Sequence, residues 1–476
     1  MIPSALKNKL IQSFPHEPTE GQSSLMEQLA SFITYPVSDT IFLLCGYAGT
    51  GKTSVVISLV KVLPEIGGNF VLLAPTGRAA KVLSGYSGKK AHTIHRYIYL
   101  YQTSGDGITK IIRQQNKNRD TLFVVDEASM IQGDMRNDEF SVFSSRNLLE
   151  DLIQYVFEGE NCKLLLIGDT AQLPPVGTDV SPALDEKLLE KSFGLKVRRF
   201  ELTEVVRQQE NSGILMNATL LRQQISKKKI RLPFFNIGSC TDVFRITGPE
   251  LEEALNKSFS GGNQADVCVV CRSNKRANLF NMEIRTRILG RENEISAGDY
   301  LMIVKNSYFW LPPDSVAGFI ANGDIVEILK IKRYIDLYGY RFADVTIRLM
   351  DYPDEKPLEV KIILDTLMLN TPCLPFEENK KLFEEVLGDY EDIPSRRNKI
   401  AKVKLNPFYN ALQVKYAYSF TCHKTQGGQW NTVFIDQGYL TRDKIDMEYL
   451  RWLYTALTRG VKEVYFVNFS NDFFNS

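Results

Sequence analysis

Gly46-Tyr47-Ala48-Gly49-Thr50-Gly51-Lys52-Thr53 stands between an apolar run at 41–45 and a helix-forming stretch at 52–63. An apolar strand, a glycine-rich turn and a helix opening on Lys-Thr read as a phosphate-binding loop. That stretch decides the fold class, an α/β protein with a nucleoside triphosphate at the carboxyl end of a sheet. The residue types follow from the chemistry. Glycines let successive backbone N–H groups curl around phosphates, Lys52 reaches the outer phosphates, and the Thr53 hydroxyl suits Mg²⁺. A turn that merely connected a strand to a helix would not require Lys-Thr at its end.

Outward from this loop, the first 200 residues repeat one theme of short apolar runs, each followed by a polar turn. The further runs lie at 70–73, 122–125 and 163–167. Continuous apolar runs of this length suit strands buried on both faces of a parallel sheet, with crossover helices between them. The run at 122–125 delivers Asp126-Glu127-Ala128-Ser129. Asp126 is placed to hold Mg²⁺, and Glu127 to polarise the water that attacks the terminal phosphate. The run at 163–167 leads into Gly168-Asp169-Thr170-Ala171-Gln172-Leu173-Pro174-Pro175-Val176-Gly177. A glutamine in a proline-stiffened turn, Gln172, can hydrogen-bond a terminal phosphate and sense its loss.

Composition bounds the rest. The chain has 476 residues, 44% hydrophobic and 24% charged, which suits a globular protein of about three domains. Its net charge of +1 means that a polyanion must be held by local basic surfaces, not by an overall field. Seven cysteines are scattered, and the one CxxC, Cys268 and Cys271, lies inside an apolar strand, so buried reduced thiols are expected. Ile2, Leu6, Leu10, Ile11 and Phe14 have helical spacing, unlike a signal-peptide core, and no run approaches a membrane span. A cytoplasmic protein without a membrane partner is expected, nucleoid-associated if bacterial.

Beyond residue 200 a second α/β layer begins. Its first strand is expected at 267–271, before Arg272-Ser273-Asn274-Lys275, and it carries no phosphate loop of its own. From about 292 the pattern changes to strand pairs at 299–304, 325–329, 340–350 and 358–363, with Asn-Gly and Pro-Asp turns, and an all-β insertion is expected. An amphipathic acidic helix at 376–387 and a basic run from Arg396 to Lys404 follow. Between 97 and 120, Ser104-Gly105-Asp106-Gly107 separates two apolar segments and reads as a hairpin insert. The stretch 132–162 is polar and reads as loop.

The succession GYAGTGKT, APTGRAAK (74–81), HTIHR (92–96), DEAS and GDTAQLPPVG resembles superfamily 1 helicases, in particular the RecD, Dda and Pif branch. The resemblance implies two RecA-like motor domains with a single ATP at their interface. Domain 1–200 would carry the pin-like insert at about 97–120. The second motor domain would comprise 201–291 and 413–476, interrupted by an SH3-like β-barrel at 292–412. It further implies an adenine-reading Gln22 in Thr19-Glu20-Gly21-Gln22, arginine fingers at Arg207 and Arg459, and a coupling motif at 418–427. ATP would be bound by Gly46, Ala48, Gly49, Thr50, Gly51, Lys52, Thr53 and Asp126, with Mg²⁺ on Thr53 and Asp126. Candidate nucleic-acid contacts are Thr76, Gly77, His92, Thr93, His95, Asn274, Thr421, His423 and Lys424. Tyr99 or Tyr101 on the insert would stack on the terminal base pair. The implied activity is an ATP- and Mg²⁺-dependent DNA helicase, functional as a monomer, moving 5′ to 3′ on single-stranded DNA and opening tailed duplexes. A translocase that strips proteins with little unwinding would use the same motor. A nucleotide-dependent binding switch would not need Glu127, Gln172, Arg207 and Arg459 together.

Overall fold

The computed structural model describes residues 3–35, 39–103, 109–133, 147–204, 212–238, 240–260, 264–312, 315, 317–352, 355–441 and 444–474. Its first lobe is built on strands β1 (Thr40–Gly46), β2 (Asn69–Ala74) and β3 (Ala91–Thr93), followed after a hairpin by β6 (Thr121–Val125), β7 (Lys163–Gly168) and β8 (Lys196–Leu202). These six pair in the order β3-β2-β6-β7-β1-β8, all parallel. Every residue of β1, β6 and β7 is buried. Alternation along β1 explains the layers. Ile41, Leu43 and Cys45 face one core with the helix Leu148–Glu158, while Phe42 and Leu44 face another with the helix Lys52–Glu65. The hairpin itself is β4 (Tyr99–Thr103) with β5 (Thr109–Arg113), antiparallel, entered from the short helix Ile94–Ile98.

The second lobe begins with β9 (Val243–Ile246) and β10 (Val267–Cys271). A barrel then interrupts it, formed by β11 (Tyr300–Ile303), β12 (Ile325–Leu337), β13 (Tyr340–Leu349), β14 (Leu358–Ile363) and β15 (Leu412–Tyr416), closed by β11 on β15. After it come β16 (Ser419–Thr421), β17 (Trp430–Asp436) and β18 (Gly460–Val467). The five strands outside the barrel make a second parallel sheet in the order β16-β10-β17-β18-β9. The barrel runs four residues beyond the boundary expected at 412, because β15 closes it before the chain re-enters the sheet. Within 132–162, expected to be loop, residues 148–158 form a helix that buries Leu149, Leu152, Ile153 and Val156. Their spacing is helical, and the polar residues that suggested loop, 136–139 and 144–146, precede the helix. Residues 134–146 lie outside the described set. The basic run expected after the acidic helix is itself a helix, Arg396–Lys404.

Two contacts fix the barrel. Toward its own lobe, Asp299 is fully buried and accepts from Arg285 Nε at 3.0 Å and Nη2 at 2.8 Å, from Arg291 Nη1 at 2.9 Å and from the Tyr418 hydroxyl at 3.0 Å. Such a buried carboxylate is tolerable only because it is fully paired. Toward the first lobe, Lys81 Nζ lies 2.6 Å from Asp324 Oδ2, and the Arg96 guanidinium sits 5.0 Å from the Phe319 ring centroid. A Cβ on Gly77 would fall 2.0 Å from the Ala321 Cβ, so only glycine admits this approach. Removing one partner of a buried pair strands the other charge. Asp324→Ala should therefore lower the unfolding free energy by about 3–5 kcal/mol in urea denaturation, and Asp324→Ala with Lys81→Met by less.

Candidate active site between two lobes

The phosphate loop follows directly from β1. Gly49 and Gly51 have φ of 77° and 87°, a left-handed backbone that favours glycine. A Cβ on Gly46 would meet Thr50 Oγ1 at 3.0 Å and the Lys52 side chain at 3.1 Å. Lys52, the first residue of its helix, donates from Nζ to the Gly46 carbonyl at 2.6 Å and the Tyr47 carbonyl at 2.8 Å. The ammonium is thus folded over its own loop, held by neutral acceptors. Thr50 Oγ1 donates to the Tyr47 carbonyl at 2.8 Å, and Thr53 is exposed in the first helical turn. Gln22 is buried and spends its amide within the lobe. Its Oε1 accepts from Thr19 N at 3.0 Å in a capping box, and its Nε2 donates to the Thr50 carbonyl at 3.1 Å. The residue expected to read adenine here braces the loop from behind.

At the end of β6, Glu127 adopts φ 52°, in the left-handed region, a strained backbone for a non-glycine residue. Asp126 Oδ1 accepts from Glu127 N at 2.8 Å, and the Tyr86 hydroxyl donates to Oδ2. Burial, reinforced by the Asp126 charge, pushes the Glu127 carboxyl up to about 7, while Arg459 and Lys52 pull it down. Asp126 and Thr53 supply hard oxygen donors suited to Mg²⁺. Gln172 is 7% exposed, and its Oε1 has no donor. A buried acceptor without a donor is costly, so this atom is set for a ligand or a water.

The second lobe completes the site. Tyr454, in the helix Met447–Leu457, accepts from Ala48 N at 3.1 Å and donates its hydroxyl proton to Asp169 Oδ2 at 2.5 Å. Beside it, Leu173 N donates to Thr455 Oγ1 at 2.9 Å, and Gln426 Nε2 donates to the Leu173 carbonyl at 2.7 Å. Arg459, 5% exposed, donates to the carbonyls of Thr455 at 3.0 Å and Gly428 at 3.2 Å and to Thr458 Oγ1 at 3.1 Å. Its guanidinium is held by neutral acceptors, and its charge reaches Glu127. Arg207 lies outside the described residues. Tyr454, Thr455, Asp169 and Tyr86 were not singled out from sequence. Asp169 stands inside the quoted glutamine motif, Tyr454 and Thr455 lie just ahead of Arg459 in sequence, and that position was their only signal.

The candidate nucleic-acid residues fall into two groups. Segments 76–81 and 421–428 meet across the lobes, where a Cβ on Gly427 would lie 3.1 Å from the Ala79 Cβ, and the Arg78 guanidinium covers the Trp430 ring at 4.3 Å. Thr76 and Thr93 each accept from a helix N–H, of Ala79 and Arg96, at 3.2 Å, so both hydroxyls cap helices. Gly77 is covered by Ala321, and Thr421 precedes the turn that carries His423 and Lys424. Burial lowers His92 and His423 and takes His95 down to about 4, which keeps all three imidazoles neutral and suits stacking more than charge pairing. Lys424 is lowered to about 8 by burial and by Lys415. Asn274 Nδ2 donates to the Asn370 carbonyl at 3.0 Å. Tyr99 departs from expectation. It is 3% exposed and donates its hydroxyl to Asp151 Oδ2 at 2.7 Å, so its ring packs inward, unavailable to a base pair. The Tyr101 side chain lies outside the described set.

A phosphate loop on one parallel sheet, completed by a tyrosine and an arginine from a second, defines a two-lobed P-loop nucleoside triphosphatase. Residues 18–232 match the AAA domain, and 416–467 match the UvrD-like helicase C-terminal domain. The chain thus resembles the superfamily 1 helicases of the RecD, Dda and Pif type in both of its lobes. It is 25% identical to the uncharacterized protein R530 of Acanthamoeba polyphaga mimivirus, over 90% of this chain and 95% of that one. It is 24% identical to the ATP-dependent DNA helicase dda of Enterobacteria phage T4, over 89% and 93%. With the ATP-dependent RecD2 DNA helicase of Deinococcus radiodurans it shares 29% identity over 42% of this chain and 24% of the other. The solved Pif1 helicase from Bacteroides in complex with ADP-AlF3 and ssDNA is 15% identical, covers 96% of this chain and 94% of its own, and has a TM-score of 0.48.

Proposed function

We propose that this helicase hydrolyses Mg-ATP to move 5′ to 3′ along single-stranded DNA and to unwind tailed duplexes, working as a monomer. The observation that carries this reading is the Ala48–Tyr454–Asp169 bridge, through which one lobe reads the phosphate loop of the other. Gly46, Ala48, Gly49, Thr50, Gly51 and Lys52 would cradle the triphosphate, with Thr53 and Asp126 holding Mg²⁺. The metal neutralises charge on the phosphate oxygens when bound. Glu127 is the base that orients and deprotonates the attacking water, Gln172 Oε1 accepts from that water, and Arg459 compensates charge at the transferred phosphoryl. Because Arg459 belongs to the second lobe, turnover requires a closed cleft, and release of phosphate permits opening. Segments 76–81 and 421–428, which touch where Gly427 meets Ala79, are the proposed grips on the strand. The relatives named as ATP-dependent DNA helicases support DNA as the track, and the 5′ to 3′ direction rests on the family alone.

Turnover should rise several-fold or more with single-stranded DNA, and unwinding should require a 5′ tail. ATPase activity indifferent to DNA would overturn the helicase reading, and preference for a 3′ tail would overturn the direction. The base adds a pH signature. Only the carboxylate of Glu127 can accept a proton, so kcat/KM for ATP should fall as the pH drops below about 7. Glu127→Gln should keep nucleotide binding, lower kcat by about 10²–10⁴-fold and erase that acidic limb.

A further inference from the structure

The helix Gly213–Ser226 ends in Lys227-Lys228-Lys229-Ile230-Arg231, with all five residues exposed. Among the described residues, none of these four cations makes an ion pair. In a chain of net charge +1, four uncompensated cations within five residues form a strong local patch. Behind them opens a cleft of about 160 Å³ whose walls include Leu220, Gln224, Lys227, Lys229, Arg231 and Phe234. Leu220, Ile230 and Phe234 are 41%, 55% and 51% exposed, an apolar rim beside the charges. The loop that bears them is pinned. Lys229 N donates to the Gln224 carbonyl at 2.9 Å, Phe235 N donates to the Phe473 carbonyl at 2.7 Å, and the Phe235 ring stacks on Phe466 at 4.3 Å. Gln224 is 9% exposed, yet its Oε1 has no donor.

We propose that this cleft binds an acidic peptide segment of a partner protein, anchored by one large apolar side chain. The carboxylates would pair with Lys227, Lys229 and Arg231, and the apolar side chain would lie between Leu220 and Phe234. The apolar rim selects among polyanions, because it suits a side-chain anchor that a phosphodiester backbone does not offer. None of the residues lining this cleft is assigned to the nucleotide or to the strand, although the same helix bears Arg222, 4.1 Å over the Tyr47 ring of the phosphate loop.

The test is fluorescence anisotropy with the full chain and the labelled peptide Asp-Asp-Glu-Asp-Leu-Phe. Saturable binding is expected, weakened about tenfold or more by Lys227→Glu with Lys229→Glu and, separately, by Phe234→Ala, with ATP turnover unchanged in both variants. Replacing the peptide's Phe by Ser should weaken binding as Phe234→Ala does. The absence of saturable binding to the unmodified chain would overturn the proposal, as would binding indifferent to these substitutions. If the lysine variant lost oligo(dT) binding and no peptide affinity, the patch would be a nucleic-acid contact and the proposal would fail.

Discussion

Lys52→Ala should lower ATP turnover by about 10²–10³-fold or more while single-strand binding persists. The reason lies in where the ammonium rests. It donates to the carbonyls of Gly46 and Tyr47, inside the curl of the loop, with no carboxylate partner. A cation so placed becomes most useful where charge grows on phosphate oxygens, and its contribution is largest in a water-poor cleft. Removing it breaks no ion pair, but it withdraws a charge that holds Glu127 down and bares the carbonyls of two buried residues, so a stability measurement accompanies the kinetics. Phosphate release gives the rate, and anisotropy of a labelled oligonucleotide gives the binding. Equal loss of both would instead point to a misfolded chain.

Arg459→Ala should cost still more, about 10³–10⁵-fold in kcat, the range expected for an arginine finger. In this structure the guanidinium is parked on Thr455, Gly428 and Thr458, a few bonds from the Tyr454 that touches the phosphate loop. Truncation leaves those buried acceptors bare, at about 1–3 kcal/mol, so a stability measurement must accompany the kinetics. Arg459→Lys separates the effects. It should recover much of the stability and little of the rate, because an ammonium cannot reproduce the planar fork. A further readout is specific to the site. Arg459 holds Glu127 down, so its loss should move the acidic limb of kcat/KM to higher pH. An Arg459→Ala variant with near-normal turnover would remove this arginine from the chemistry.

Local pattern carried the parts of the protein that were legible in advance. The phosphate loop, the acidic pair after β6 and the glutamine turn after β7 could be placed because apolar runs mark buried parallel strands, and ligand chemistry gathers at their carboxyl ends. The barrel was legible from alternation and turns, although its last strand, Leu412–Tyr416, was not placed in advance despite showing the same alternation. Residues 148–158 were misread because the polar character of the residues before them was extended over a stretch whose own spacing is helical. Tyr99 was misassigned for another reason. A hairpin's two faces look alike in sequence until something packs on one of them, here Asp151 of the neighbouring helix.

The sequence by itself determined the chemistry of each turn and the strand or helix that presents it, because both are properties of neighbouring residues. Only the tertiary structure decided which turns share a site. Tyr454 on the phosphate loop, Gln22 behind it, Asp324 against Lys81 and the unpartnered acceptor of Gln224 beside a basic run all depend on segments that meet through folding. No period or spacing in the chain records such meetings. They are set by how buried faces pack, and contacts between distant segments leave no local pattern to read.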